Sequence, residues 1–406
     1  MSRLNGSARG AHPLRIAVCG AGVAGLALAI RLARTGGRPM VFEARDERAA
    51  AAEGVFLTLA PNGANGLRSL GCYEAVRRHG ILTTGIEIRN ARGRRLALAD
   101  QSDHERASGA PSITIRRGLL TEILLTQARA DGVDVRFDAR VAAIATSPAG
   151  VRLQLDDGSA RDADILVAAD GLRSTVRGIV FPEFPAPRFT GLIGTGGLAE
   201  ADIPETGGTM RMTFGNDAFF GYLKAAGHPV YWFDSYAASE AGLRAVDDPA
   251  GYAREIRALH AGDPEPNSAI LDRVERIDCR YPIYDMPALP YWHKGPVVLI
   301  GDAAHAVGPH AGQGASMAVE DALVLAACLA AEPGHDAAFR RYERLRRSRI
   351  GTVVRMTARN SSQKRTAGRF ALLLRDLVLP LMIPLGMRAA RRFFQYRADQ
   401  VPLAQP

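Results

Sequence analysis

Asp302 follows Gly301 at the end of the apolar run Val297–Ile300, a place where a carboxylate can accept hydrogen bonds from sugar or ribityl hydroxyls partly removed from water. Gly312 and Gly314 lie a short distance on and let backbone approach a flat ligand. The helix expected from about Ser316 presents unpaired N–H groups and the positive end of its dipole, which suits developing negative charge. Read alone, Val297–Asp321 also fits an ordinary strand-turn-helix crossover whose glycines serve packing.

A second glycine cluster stands near the start. The short strand Leu14–Cys19 runs into Gly20, Gly22, Ala24 and Gly25 of the segment GAGVAG, then into an apolar-periodic helix to about Arg34 and a strand Pro39–Phe42 that ends at Glu43. This is the dinucleotide βαβ pattern: glycines for the turn, a pyrophosphate at a helix N-terminus, and an acid some twenty residues on for ribose hydroxyls. A carboxylate at Glu43 repels a 2′-phosphate, so the site suits the ADP half of FAD or NAD better than NADP. Arg45 either supports the adenosine end or is a solvated surface arginine.

A third constellation is Ala163–Arg177. A buried strand, Ile165–Ala169, is broken by Asp170 and Gly171 where the chain passes close to something, and Arg173 and Arg177 lie four apart on the helix expected next. An anion-binding role for this pair is preferred over a charged face because an acid-glycine turn precedes it. Arg116 and Arg117 open another helix, Gly118–Ala130, as phosphate contacts or as a solvated pair.

Other elements must position these residues. Gly54–Asn62 reads as a strand entering a Pro-Asn turn before a short helix at Ala64–Leu70; Gly85–Leu98 reads as a hairpin turning at Asn90–Gly93, and Ser102–Ala110 as a polar loop. Val133–Phe137, Val141–Thr146 and Val151–Leu155 continue as strands. From Phe184 to about Tyr236 glycines, prolines and aromatics rise, and Thr209–Phe214 and Val230–Tyr236 have strand character, as in an antiparallel sheet of a second domain. Ala250–Ala261 is expected as a helix, Pro282–Trp292 as an extended connector, and Ala337–Arg355 as a basic helix. Phe370–Met387 is apolar but interrupted by Arg375, Asp376, Pro380 and Pro384, so it reads as a helix covering the substrate side. Arg369, Arg388, Arg391 and Arg392 flank it, which leaves weak contact with a membrane surface as the competing reading.

The totals exclude several classes. A hydrophobic fraction of 47% and a charged fraction of 23% over 406 residues describe an ordinary soluble globular chain. The net charge of +9 comes with only three lysines, Lys224, Lys294 and Lys364, so it reflects an arginine habit. No nucleic-acid motif interleaves the charges; a positive field that draws in anionic cofactors fits better. Cys19, Cys72, Cys279 and Cys328 form no CxxC pair and read as buried thiols in a reducing compartment, with no metal site. Residues 1–13 lack the apolar core of a signal peptide and read as a loose leader, which leaves the cytoplasm as the expected location.

Taken together, GAGVAG with Glu43, the ADG of Ala169–Gly171, and GDAAHAVGPHAGQG at Gly301–Gly314 resemble the single-component FAD-dependent aromatic hydroxylases, the flavoprotein monooxygenases of the 4-hydroxybenzoate hydroxylase fold. The resemblance spans roughly Arg15 to Glu343, and Glu320-Asp321 completes its helix pattern. It implies an α/β fold with a Rossmann-like FAD-binding domain at 14–80, 110–180 and 288–350. It also implies an inserted antiparallel-sheet substrate domain at 81–109 and 181–287, and a C-terminal helical cover at 351–406.

By the same resemblance, Gly20, Gly22, Ala24, Gly25, Glu43 and Arg45 hold the ADP moiety, and Arg117, Asp170, Gly171, Gly301 and Asp302 hold the middle of FAD. Pro309, Gly312, Gly314 and Ala315 face the isoalloxazine ring. The implied chemistry uses NADPH or NADH, adds O2 to the flavin as a C4a-hydroperoxide, and passes one oxygen atom to an aromatic or polycyclic small molecule in a site kept dry. Hydroxylation is expected ahead of epoxidation. The implied enzyme is a monomer or homodimer.

No acid or base stands out. Arg211, Tyr222 and Tyr231 of the inserted sheet are candidates to orient or deprotonate a phenolic substrate, with sheet packing as the competing role, and His310 and His305 have weaker claims. A flavin-dependent halogenase would carry a WxWxIP motif, whereas Trp232 and Trp292 are isolated. A reductase of the same fold and a non-catalytic nucleotide-binding regulator are the remaining alternatives.

Overall fold

The computed structural model describes residues 14–52, 54–239, 246–309, 312–362, 376–378, 380, 382 and 392–401. The leader, His310, and most of the apolar stretch at 363–391 lie outside these residues.

Near-continuous apolar runs give a sheet buried on both faces. Six strands lie in the order His293–Lys294, Val297–Leu299, Ile165–Ala168, Arg15–Cys19, Arg38–Phe42, Asp134–Arg136; only the first is antiparallel to its neighbour. Ala17, Val18, Ile165, Val167 and Val298 are fully buried. The helix Val23–Arg34 packs against Gly314–Ala331 and Arg117–Ala130, and a meander of Val141–Ser147, Gly150–Leu155 and Ala160–Ala163 extends the same core. The helix Gly314–Ala331 is long and apolar enough to cross a bilayer, with mean hydropathy 1.6, yet 61% of it is buried here as a core helix.

A seven-stranded sheet takes Gly85–Asn90 and Arg95–Asp100 from early in the chain and the rest from Arg188–Asp285. Its order is Tyr281–Asp285, Arg188–Ala199, Val230–Ala237, Ala218–Leu223, Thr209–Phe214, Gly85–Asn90, Arg95–Asp100. Every junction is antiparallel except Thr209–Phe214 against Gly85–Asn90. Helices Pro249–Leu259 and Asn267–Leu271 cover one face, where Tyr252, Ile256 and Ile270 pack on Ile193, Phe220 and Trp232. A three-stranded sheet of Phe56–Leu59, Ser112–Arg116 and Ile81–Thr83 lies against the opposite face through Phe56.

Several local expectations are corrected. Pro61 and Asn62 begin the helix Pro61–Ser69 and form no turn, because proline's fixed φ suits the first helical position. Ser102–Ala110 contains a short helix, His104–Ser108, capped by left-handed Gly109. The connector contains the edge strand Tyr281–Asp285, whose partner Arg188–Ala199 lies far away in sequence. The helix after the ADG turn is Thr175–Val180, so Arg173 precedes it and the two arginines do not share its face. Cys279 is exposed, unlike the other three thiols. The basic helix is longer than expected, His335–Ser362.

Candidate active site

Parallel strands place their carboxyl ends on one edge of the sheet, and three glycine turns meet there. Gly20 leaves its strand at φ +104, and a Cβ on it would stand 2.3 Å from the Ala169 carbonyl oxygen and 3.0 Å from Asp170 Cα. Gly301, at φ +57, faces the Ala24 Cβ, which a Cβ of its own would approach to 3.1 Å. Arg177, buried, donates to the carbonyls of Ala303 at 2.7 Å and Leu172 at 2.5 Å, so it ties the DG turn to the GD turn. The expected anion-binding role of Arg177 gives way to this clamp, and Arg173 is exposed.

Glu43 is 5% exposed and spans the Gly-rich loop: one oxygen accepts the Ala21 N–H at 2.9 Å, and the other accepts Arg45 N and Nε at 3.2 and 3.0 Å. Gly22 precedes the helix Val23–Arg34 with no side-chain cap and no acid in the first turn, so the first N–H groups of the helix face outward for an anion. Asp170 accepts the Val176 N–H at 3.0 Å through one oxygen, while the other is buried without a partner among the described residues. Burial raises the Asp170 pKa despite bonds from Ser174 and Val176. Asp302 is exposed at the start of Asp302–His305. Arg117 is exposed and packs over Gly54, whose Cβ would lie 2.8 Å from its Cδ.

Pro309 is exposed, and its carbonyl accepts the Gly312 N–H at 3.0 Å in a turn that Gly312 makes at φ +60. Gly314 and Ala315 start the long helix half-buried, and that end too carries no capping side chain and no acid in its first turn. These features fit FAD: two open helix N-termini for the pyrophosphate and the ring, glycines where a Cβ would intrude, and an unpaired buried carboxylate oxygen for a hydroxyl or amide donor.

Beneath this edge lies a buried ionic cluster that sequence reasoning missed. Arg346 donates to Asp321 at 2.7 Å and to Glu320 at 2.6 Å, all three side chains fully buried. Asp321 also accepts from Gly301 N at 2.9 Å and contacts His305 Nε2 at 2.6 Å; Glu320 accepts from Arg349 and from Asn62 at 2.8 Å. Burial pushes the Asp321 carboxyl up, but His305 and Arg346 outweigh it and hold the group well below the ordinary range. His305 thereby props the GD turn through Asp321. Arg346 was hidden among the many arginines of its helix; the signal was the acid pair inside an apolar helix.

The inserted sheet divides the remaining candidates. Arg211 and Tyr222 are direct cross-strand partners, with Arg211 Nη1 3.3 Å from the Tyr222 hydroxyl, and Tyr222 lies in the helix-covered cluster with Phe220 and Trp232. Both point away from the cofactor edge, since strand alternation sends them to the other face. Tyr231 lies on the near face, 5.2 Å from the Phe56 ring. Burial raises its pKa against a smaller opposing pull from Arg116, so its hydroxyl stays protonated at neutral pH.

A Rossmann-like sheet whose three glycine turns converge beside a large mixed sheet defines a flavin-binding hydroxylase fold. The FAD binding domain family model matches residues 14–207 and 280–357, and the chain belongs to this family. The chain is 31% identical to the aurachin C monooxygenase/isomerase of Stigmatella aurantiaca over 91% of its own length and 94% of that protein's. It is 34% identical to the 3-amino-4-hydroxybenzoate 2-monooxygenase of Streptomyces cremeus over 85% and 86%. Among solved structures, Klebsiella pneumoniae HpxO complexed with FAD and uric acid has the same fold at a TM-score of 0.79 and 24% identity, covering 95% of this chain and 96% of that one. The protein is a single-component FAD-dependent monooxygenase.

Proposed function

We propose that this enzyme hydroxylates an aromatic small molecule, placing one atom of O2 in the product and the other in water, with two electrons from NADH or NADPH. The observation that carries the reading is the meeting of the GAGVAG, DG and GD turns on one sheet edge, beside the aromatic near face of the inserted sheet.

In this reading Gly20, Gly22, Ala24 and Gly25 cradle the pyrophosphate, and Glu43 with Arg45 holds the adenosine ribose. Arg117, Asp170, Gly171, Gly301 and Asp302 hold the middle of FAD, and Pro309, Gly312, Gly314 and Ala315 border its ring. Bound FAD, once reduced by the nicotinamide, supplies the oxygen-activating chemistry. The chain's own tasks are to orient the substrate, exclude water and hold protons. Phe56, Phe219 and Phe233 keep the near face dry, and Tyr231 donates to a substrate oxygen without acting as a base. Residues 14–80, 110–180 and 288–350 form the FAD-binding domain, residues 81–109 and 181–287 the substrate domain, and 351–406 the cover.

Asp376 supports the cover: it accepts from Asn90 Nδ2 at 2.6 Å, and its carbonyl accepts from Arg94 at 3.3 Å, on the rim of the inserted sheet. Exposed Leu377, Val378 and Met382 favour weak peripheral membrane contact of this region in an otherwise cytoplasmic monomer or homodimer. Sedimentation with anionic vesicles tests that contact.

The test of function is direct. The purified protein should bind FAD and turn yellow, aromatic compounds should stimulate its NAD(P)H oxidation, and the product should gain one oxygen. Turnover without oxygen uptake in an oxygen electrode would make it a reductase. Failure to bind flavin would leave only the nucleotide-binding regulator.

A further inference from the structure

Strand register divides the inserted sheet into two chemically distinct faces. Inner positions, which share a face with Phe56-contacting Tyr231 and Phe233, follow cross-strand rows: one row runs Gly194, Ser235, Phe219, and the next Gly196, Phe233, Gly221. Along the five central strands, from Leu192–Leu198 to Gly85–Asn90, none of the inner positions is Arg, Lys, His, Asp or Glu among the described residues. The outer positions hold Glu87, Arg89, Arg211 and Asp234. Arg116, whose charge reaches Tyr231, is exposed to solvent at the end of its strand.

Two further observations define what fits. Gly194 and Gly196 are successive inner positions without side chains, about 7 Å apart along the strand at ordinary strand rise; Gly194 is buried, with Ile283 Cδ1 3.7 Å from where its Cβ would stand, and Gly196 is half-buried. The Phe233 ring lies across Gly221, where a Cβ would stand 2.4 Å from two ring carbons, so it lies along the sheet like a wall panel. Opposite Gly194, Ser235 is 2% exposed, and its hydroxyl is buried with no hydrogen-bond partner among the described residues. A buried hydroxyl without a partner carries a desolvation cost that a bound polar group would remove.

We infer that the inner face takes an uncharged fused-ring aromatic, stacked along Phe233 beside the side-chain-free positions Gly194 and Gly196, and that Ser235 Oγ is its polar anchor and a specificity determinant. The inference rests on the aromatic hydroxylase reading. A ring carboxylate has no buried cation to meet on this face, and an unpaired charge is far costlier to bury than an unpaired hydroxyl.

The experiment uses the FAD-loaded full chain and three probes: 2-naphthol, 6-hydroxy-2-naphthoate and naphthalene. Binding is read from perturbation of the oxidised flavin spectrum, and turnover from NAD(P)H oxidation. 2-Naphthol should bind at least about tenfold more tightly than 6-hydroxy-2-naphthoate. Ser235→Ala should weaken 2-naphthol by about five- to tenfold and leave naphthalene unchanged. Tighter binding of the carboxylate, or equal effects of Ser235→Ala on 2-naphthol and naphthalene, overturns this assignment while leaving the hydroxylase reading intact. If no probe perturbs the flavin and a wider set of aromatic compounds stimulates no NAD(P)H oxidation, both fall.

Discussion

Arg346 Nε meets Asp321 Oδ1 at 2.7 Å with both side chains fully buried, and the other oxygen of that carboxylate accepts the Gly301 N–H at 2.9 Å. The long basic helix thereby sets the conformation of the turn that carries Asp302. Removing one member of a buried pair leaves an uncompensated charge, so Asp321→Asn should cost about 3–5 kcal/mol in chemical denaturation. Because the Asp321 carboxyl is held below its ordinary range, its stabilisation is present above the unfolded value near pH 4 and is lost as pH falls toward the folded one. The variant should therefore lose part of the wild type's acid sensitivity.

The first two glycines of GAGVAG should separate folding from binding. Gly20→Ala puts a methyl 2.3 Å from the Ala169 oxygen at φ +104 and should lower both stability and flavin content. Gly22→Ala meets nothing within 4 Å, so the apoprotein's thermal midpoint should hold while FAD affinity drops. An equal loss of stability in both variants would argue against a pyrophosphate at Gly22.

Asp302 is exposed and begins a short helix, so Asp302→Ala should change stability by less than about 1 kcal/mol. FAD affinity, measured by flavin fluorescence during dialysis, should fall by an order of magnitude or more on loss of charge-assisted bonds to hydroxyls. Unchanged flavin retention would remove Asp302 from the site.

Tyr222 and Tyr231 face opposite ways. Tyr222→Phe should leave KM and kcat within about twofold of wild type, since its hydroxyl meets Arg211 on the helix-covered side. Tyr231→Phe should raise KM for a phenolic substrate several-fold with a smaller effect on kcat. The reverse ranking would move the substrate to the other face.

His260 titrates behind the sheet. Burial opposes its charge, but hydrogen bonds and attraction from Asp234 and Asp263 prevail and raise its pKa from 6.5 to about 9. A raised folded-state value stabilises fully below pH 6.5 and fades as pH rises through about 9. Urea midpoints should therefore decline across that window in the wild type and decline less in His260→Gln.

The βαβ unit of the candidate nucleotide site was legible in local sequence, because GAGVAG, a strand on either side and Glu43 fall within one supersecondary unit. The DG and GD turns were legible as positions, while their contact was not, since Arg177 and Ala303 are joined only by strands that pair across the insertion. Alternation in Thr209–Phe214 and Val230–Ala237 revealed strands but not which face of either lies under the helices. The opposite face is marked by Phe56, far upstream, which meets Tyr231, while Arg211 and Tyr222 lie on the helix-covered side. Pro61 was misjudged because a proline reads alike as a turn residue and as the first residue of a helix.

The cofactor sheet closes in the order in which the ribosome releases it. Ile165–Ala168 pairs on one side with Arg15–Cys19 and on the other with Val297–Leu299, which emerges more than a hundred residues later. During that interval a nascent chain holds an apolar strand with one open edge and a Gly-rich loop that lacks its GD counterpart. Five of the seven strands of the inserted sheet are synthesised meanwhile, so most of the substrate wall is released before the nucleotide pocket is complete. Such a chain is exposed to edge pairing with its neighbours until Val297 docks, and early flavin capture has only half a binding site to work with.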